Sequence, residues 1–245
     1  MQIKGSVALV TGANRGIGRC FVEALLARGA AKVYATARQP SLLADLAPGA
    51  GGRLETLALD ITDPAAVAAV ARRAPDVTLL VNNAGINRHQ AFLAASDLAA
   101  ARAEMETNYF GTAAMCRAFA PVLGRNGGGG IVNMLSILAR VNLPAMGTLC
   151  ATKAAGLSMT QGVRAELAKQ KTLVVAVMPG AVDTDMEREF QGPKMDPRDV
   201  AKAALDAVES GVEEVYPGDM ANGVSQGLAA DPKGVEKEFA AYLPG

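Results

Sequence analysis

The chain has 245 residues, half of them hydrophobic and only 20% charged, which is ample material for one large core. Its 24 basic and 24 acidic residues cancel, so the charge balance offers no footprint for nucleic acid or an anionic membrane surface. A single histidine, His89, rules out a histidine-rich metal site, and no apolar run approaches the roughly 18 residues of a membrane span.

At the N-terminus, MQIKG leads directly into the apolar run Val7–Thr11, with no signal-peptide pattern. A glycine-rich turn follows, then Arg19–Arg28, whose helix-forming residues carry apolar positions at three-to-four spacing. Strands are predicted at Val33–Thr36 and Leu54–Ala58, a helix at Pro64–Arg73, and strands at Leu79–Asn82 and Gly130–Met134. A long helix at Thr152–Lys169, strands at Leu173–Met178 and Glu214–Tyr216, and a terminal helix within Asp231–Tyr242 complete the chain. The strands are short and rich in Val, Ile and Leu, as strands buried on both faces are. Their alternation with helices predicts an α/β fold, a doubly wound parallel sheet of Rossmann type with seven strands and helices on both faces.

No Pro- or Ser-rich linker and no internal repeat divides the sequence, and Gly127–Gly130 is too short to join two domains. Residues 1–245 are read as one domain, with the polar stretch 183–198, which holds Gly192, Pro193 and Pro197, as a substrate lid. Cys20, Cys116 and Cys150 are odd in number and lack metal-ligand spacing, which suits a reducing compartment and a cytoplasmic protein without a metal.

The strongest motif is Thr11-Gly12-Ala13-Asn14-Arg15-Gly16-Ile17-Gly18, between the first strand and the first helix. Glycines there let backbone approach a pyrophosphate, and the following helix N-terminus offers unpaired N–H donors and a favourable dipole. The TGxxxGxG spacing resembles that of the short-chain dehydrogenase/reductase family, and the resemblance extends over nearly the whole chain. It implies cofactor contacts from Asp60 and Ile61 in Leu59-Asp60-Ile61, from Asn83, Ala84 and Gly85 in Asn82-Asn83-Ala84-Gly85, and from Pro179, Gly180, Val182 and Thr184 after the sixth strand. All lie at C-terminal strand ends, where open α/β sheets bind ligands. The second strand ends at Arg38 and carries no carboxylate. An acid at that point would accept from a ribose 2′-hydroxyl, whereas Arg38, with Arg15 in the glycine turn, favours a 2′-phosphate. The cofactor read from these charges is NADP(H).

The resemblance also implies catalytic positions. In the family a tyrosine exchanges the substrate's proton, a lysine four residues on lowers that tyrosine's pKa and holds the ribose, a serine holds the substrate oxygen, and an asparagine maintains a relay water. Asn108, Ser136 and Lys153 match the asparagine, serine and lysine. Leu149 stands where the tyrosine belongs, and no tyrosine occurs between Tyr109 and Tyr216, so no shift of register restores one. Positioned acid–base catalysis is worth about 10²–10⁴ in rate, and a leucine supplies none. Lys153 acting through a water, Cys150 and the loop residue His89 are candidate replacements; Tyr109 is expected to pack in its helix and Tyr216 in the last strand.

Three functions stay open on this reading. One is reduction of a C=N bond or an activated C=C or C=O bond that needs little protonation. The second is carbonyl reduction with a replacement donor, or a variant from which the tyrosine was removed. The third is a non-catalytic NADP(H)-binding scaffold or regulator. Ser136, Met146, Met186 and Phe190 are the expected contacts of a small hydrophobic substrate. The resemblance further implies a homodimer or homotetramer formed through Thr152–Lys169 and the helix after Phe92, with Ala154, Ala155, Gly156 and Ser158 allowing close approach.

Overall fold

The computed structural model describes residues 1–46 and 50–244. Seven parallel strands, β1 (Val7–Val10), β2 (Lys32–Ala37), β3 (Leu54–Ala58), β4 (Leu79–Asn82), β5 (Gly129–Met134), β6 (Thr172–Val177) and β7 (Glu214–Val215), form one sheet in the order β3-β2-β1-β4-β5-β6-β7. The order reverses between β1 and β4, and this switch point opens a crevice at the C-terminal strand ends. The predicted fold is the observed one.

Both sheet faces are covered because each strand is apolar on both sides. In β1, Ala8 and Val10 pack with Phe21, Val22 and Leu25 of α1 (Gly16–Ala27) and with Val200, Leu205 and Val208 of α6 (Pro197–Ser210). The intervening Leu9 points into the opposite cluster. That cluster holds Val67 and Val70 of α2 (Pro64–Arg73) and Met115, Phe119 and Leu123 of α4 (Thr112–Arg125).

The structure corrects some boundaries. The long helix α5 runs Gly147–Leu167 and so starts five residues before the predicted Thr152. Gly147 and Thr148 read locally as turn residues. Here Gly147 backs onto the Phe92 ring, and Thr148 donates from its backbone N–H and its hydroxyl to the Gln90 carbonyl, so a tertiary partner anchors the extra turn. Tyr216 lies just beyond β7; its hydroxyl donates to Glu214 Oε2 at 3.0 Å and accepts from Arg140 at 2.6 Å. The helix after Phe92 is composite: α3 (Ala99–Glu104) passes through a π-helical turn, Met105–Gly111, into α4. π turns are frequent at functional sites, and this one carries Asn108. Two further helices, α7 (Gly218–Ala230) and α8 (Pro232–Phe239), close the chain.

Among the described residues, no helix is long and apolar enough to cross a membrane and no cluster of His, Cys, Asp or Glu could hold a metal. Cys20, Cys116 and Cys150 are free thiols.

Candidate active site

Gly12 and Gly16 adopt φ of +63° and +52°, values an L side chain resists, and so turn the chain from β1 into α1. Gly18 serves a different need: a Cβ there would collide with the Gly12 carbonyl oxygen and the Asn83 amide. Asn83 locks this turn from the neighbouring strand. Its Nδ2 donates to the Thr11 and Gly12 carbonyls at 2.9 and 3.1 Å, while Asn83 N and Ala84 N both donate to Thr11 Oγ1. Gly85 completes the loop, close against Asn108 Oδ1.

At the end of this turn no side chain caps α1, whose N-cap residue is Arg15. The first N–H groups of a helix lack intrahelical partners and face the positive end of the macrodipole. An uncapped end at a sheet switch point is therefore an anion cradle, with Asn14, Arg15, Gly16, Ile17 and Gly18 around it. Thr184 packs its methyl against Gly16, which brings the start of the 183–198 segment to the same place. Val182 is buried and pairs with Met195 in an isolated parallel bridge.

Arg38 follows β2 and is exposed. Asp60 accepts from the Thr62 backbone and hydroxyl at 2.9 and 2.7 Å; these bonds, and to a smaller extent Arg38, hold its carboxyl below the usual range. Ile61 is buried against Gly111 of the π turn. The residues present fit a 2′-phosphorylated dinucleotide: a bare helix end for the pyrophosphate, arginines in the glycine turn and just after β2, and no carboxylate in β2.

Of the positions expected to be catalytic, Lys153 and Ser136 lie at the end of β5. Lys153 Nζ donates to the Met134 carbonyl at 3.0 Å, and burial pushes its pKa down to about 8 against the opposing pull of the Glu104 carboxylate. Two residues past Met134, Ser136 Oγ accepts from Leu138 N at 3.2 Å and lies 3.4 Å from the Pro179 carbonyl, which also accepts from Ile137 N. Gly180 approaches Met220 closely. Asn108 is buried; its side chain exchanges two hydrogen bonds with the Ile86 backbone and donates to Thr152 Oγ1 at 3.1 Å, next door to Lys153. Leu149 sits one helical turn before Lys153, is 4% exposed, and its carbonyl accepts from Thr152 Oγ1.

The candidate replacement donors separate. Cys150 is enclosed, bonded through sulfur to the Leu143 backbone, and burial pushes its thiol up, so it is a packed thiol. Tyr109 stacks edge-on against Phe110 within the π turn. His89 turns outward at φ +51°, and its Nε2 lies 3.1 Å from the Met186 carbonyl. It lines a cleft of about 300 Å³ with Arg15, Asp185, Met186, Arg188 and Glu189. This lining sets Arg15 and Arg188 against Asp185 and Glu189, and Leu149 is not part of it.

The expected substrate contacts are only partly gathered. Met146 Sδ accepts from Asn87 Nδ2 at 3.1 Å, and Met186 is joined to His89, so both meet the loop after Gly85. Phe190 folds back on Gly192 in its own segment. Three carboxylates escaped the sequence reading. Asp185 pairs with Arg15 at 3.0 Å. Glu187 lies half-buried near Asn87 and His89, and burial raises its pKa. Glu104 is completely buried. Of these only Glu104 left a signal, a charge four residues before Asn108 on a helix face that is otherwise packed.

An open α/β sheet with a bare helix end at its switch point handles dinucleotides, and the lysine at the mouth of β5 places a proton-bearing group beside that cradle. Such a site defines a nicotinamide-dependent oxidoreductase. The chain belongs to the short chain dehydrogenase family, whose model matches residues 6–194. It is 32% identical over 220 residues to an uncharacterized oxidoreductase of Staphylococcus saprophyticus, covering 85% of this chain and 93% of that one. A 3-oxoacyl-[acyl-carrier-protein] reductase of Vibrio cholerae is 31% identical over 225 residues, covering 83% and 89%. Among solved structures, a short chain dehydrogenase from Burkholderia cenocepacia in complex with NADP superposes with a TM-score of 0.93 at 53% identity, covering 98% of this chain and 99% of that one.

Proposed function

We propose that this protein is an NADP(H)-dependent oxidoreductase whose atypical site, lacking the tyrosine acid, reduces a C=N bond or an activated C=C or C=O bond of a small hydrophobic substrate. The observation that carries the reading is the pairing of a complete cofactor cradle and a retained Lys153 with Leu149 buried one turn away. The NADP-bound Burkholderia cenocepacia relative and the Arg15/Arg38 pair support the choice of phosphate.

When bound, the dinucleotide supplies a hydride equivalent. The rest falls to the chain's own residues. The α1 N-terminus and Gly12–Gly18 hold the pyrophosphate, Arg38 and Arg15 the 2′-phosphate, and Lys153 the ribose. The Ser136 hydroxyl orients the substrate heteroatom. Leu149 adds apolar wall where a phenol would otherwise protonate an alkoxide, which removes most help for an ordinary ketone. An iminium carbon is already electrophilic, and its hydride step needs no proton.

A second reading has its own support. Burial brings Lys153 to about 8, close to a working pH, where a general acid is most effective. Carbonyl reduction with Lys153 donating through a water follows, in line with the ketone chemistry named for the Vibrio cholerae relative.

Following NADPH absorbance across ketone, imine and enone panels tests both readings. Imine or enone turnover with slow ketones supports the first. Ketone turnover that disappears in Lys153→Met while NADPH still binds supports the second. NADPH binding without turnover on any panel would make the protein a scaffold or regulator and overturn both. We propose a cytoplasmic location, a reading that the three free thiols support. We propose that copies associate through α5 and the composite helix after Phe92, where Leu98 and Phe110 are exposed. Gly156 takes no part, because it faces Leu135 inside the subunit.

A further inference from the structure

Glu104 ends α3 at the point where the π turn begins, and its side chain has no exposed surface. Oε1 accepts a short 2.6 Å bond from the backbone N–H of Arg88. Oε2 is equally enclosed and has no hydrogen-bond partner among the described residues. A buried carboxylate oxygen left in that state is costly unless a nearby positive charge compensates it. Nothing in the chemistry above uses Glu104.

The compensating charge lies across the helix pair. α5 packs against both α3 and the π turn, and the titratable groups it turns toward Glu104 are Lys153 and Cys150. The other elements around Glu104 carry Arg88, Arg102 and Glu106, whose side chains are exposed; the loop meets the carboxylate through the Arg88 main chain, and the Asn108 amide of the π turn is committed to Ile86 and Thr152. From the side of Lys153, Glu104 is the one charged group that acts on it. Nζ itself is bonded to the Met134 carbonyl, so lysine and glutamate act on each other through the field and not by direct contact.

We propose that Glu104 is the buried counter-charge of Lys153, a positioning residue that keeps Nζ protonated in a site whose neighbouring turn carries Leu149 in place of an acid. This deepens the reading of Lys153 as proton donor and rests on it only for its catalytic consequence. In that step a proton leaves Nζ for the substrate heteroatom, or for the carbon next to the one reduced in an activated C=C bond, as hydride from the reduced dinucleotide reaches the reduced carbon. The substrate gains two electrons, the dinucleotide loses them, and Lys153 is left neutral until solvent returns its proton.

The test reads Lys153 in the cofactor-free protein. Trace acetylation of the Lys153 peptide, followed against pH by mass spectrometry, gives the midpoint at which Nζ loses its proton. Glu104→Gln keeps the acceptor for Arg88 N and removes the charge; the midpoint should fall by about one pH unit or more, with labelling near pH 7 rising roughly fivefold or more. Glu104→Asp should restore most of the shift. An unchanged midpoint in Glu104→Gln overturns the proposal. A second comparison stands even if that variant folds poorly. In a Lys153→Met background the carboxylate has lost its partner, so adding Glu104→Gln should raise Tm at pH 8; an equal or lower Tm overturns the proposal. The pH profile of turnover is a separate readout. If the labelling midpoint moves and the alkaline limb of turnover does not, Glu104 is the counter-charge and the proton-donor reading of Lys153 is the part that fails.

Discussion

Arg15 Nη1 lies 3.0 Å from Asp185 Oδ2, so an ion pair ties the glycine turn to the short helical turn Asp185–Glu187 in the 183–198 segment. Asp185 also holds Arg188 at 2.9 Å, and these two arginines, Arg188 first, keep its carboxyl below the ordinary range. The pair occupies the cation that the 2′-phosphate would use. Asp185→Asn should release Arg15 and tighten NADPH binding by roughly two- to fivefold at low salt, the scale of an exposed pair. The gap between wild type and variant should shrink at 0.5 M salt, about where screening shortens to a few ångströms. Fluorescence titration of NADPH at both salt concentrations decides it: equal affinities at low salt would mean that Arg15 is not competed for.

On the proposed reading, the choice of phosphate depends on Arg38. It is exposed and influences Asp60 only weakly, so it is free to turn toward a 2′-phosphate. Charge-assisted bonds to one group are worth about 1.5–3 kcal/mol. Arg38→Leu should therefore weaken NADPH by roughly 10- to 100-fold and leave NADH nearly unchanged. Equal losses for both cofactors would show that Arg38 supports the turn and does not read the phosphate.

Burial of Lys153 gives stability a pH dependence with a definite sign. Its pKa falls from 10.5 in the unfolded chain to about 8 in the folded one. Between those values the unfolded chain binds more protons, so stability rises with pH through that window. The full gap corresponds to at most about 3 kcal/mol. Cys116 acts in the opposite direction: burial pushes its thiol from 9.0 up to about 12, so the unfolded chain ionises first and stability falls as pH climbs above 9. Urea melts at pH 7.5, 8.5 and 9.5 should show the wild type gaining on Lys153→Met as pH rises, a comparison in which Cys116 cancels. A constant difference between the two proteins would refute the low folded-state pKa.

The strand pattern and the glycine turn were legible because each is a local statement. Val7–Val10 is apolar on both faces, and Gly12, Gly16 and Gly18 are required by backbone angles and close approach within a few residues. Arg38 was legible through an absence, the missing acid of β2. What escaped depends on distant partners. The early start of α5 needs Gln90 and Phe92, residues far back in the chain that accept from Thr148 and shelter Gly147. The π turn adds one residue to a helix whose composition is ordinary. Glu104 looks like any helical glutamate until α5 covers it, and the Arg15–Asp185 pair joins residues 170 positions apart.

Leu149 gives the most direct test of the site. It is buried on the same helix as Lys153 and one turn earlier, and Thr152, which donates to the Leu149 carbonyl, also accepts from Asn108. Leu149→Tyr would put a phenol where the family keeps its acid, with Lys153 four residues on to lower its pKa. If the remaining groups are arranged for carbonyl chemistry, NADPH-dependent reduction of simple ketones should rise by about 10²–10⁴, the usual worth of a positioned general acid. NADPH affinity should change little, because Leu149 lies outside the phosphate cradle. A companion Leu149→Phe variant controls for ring volume and should gain nothing. If Tyr and Phe behave alike while both still bind NADPH, the pocket is not shaped for a ketone, and the imine or enone reading gains at its expense.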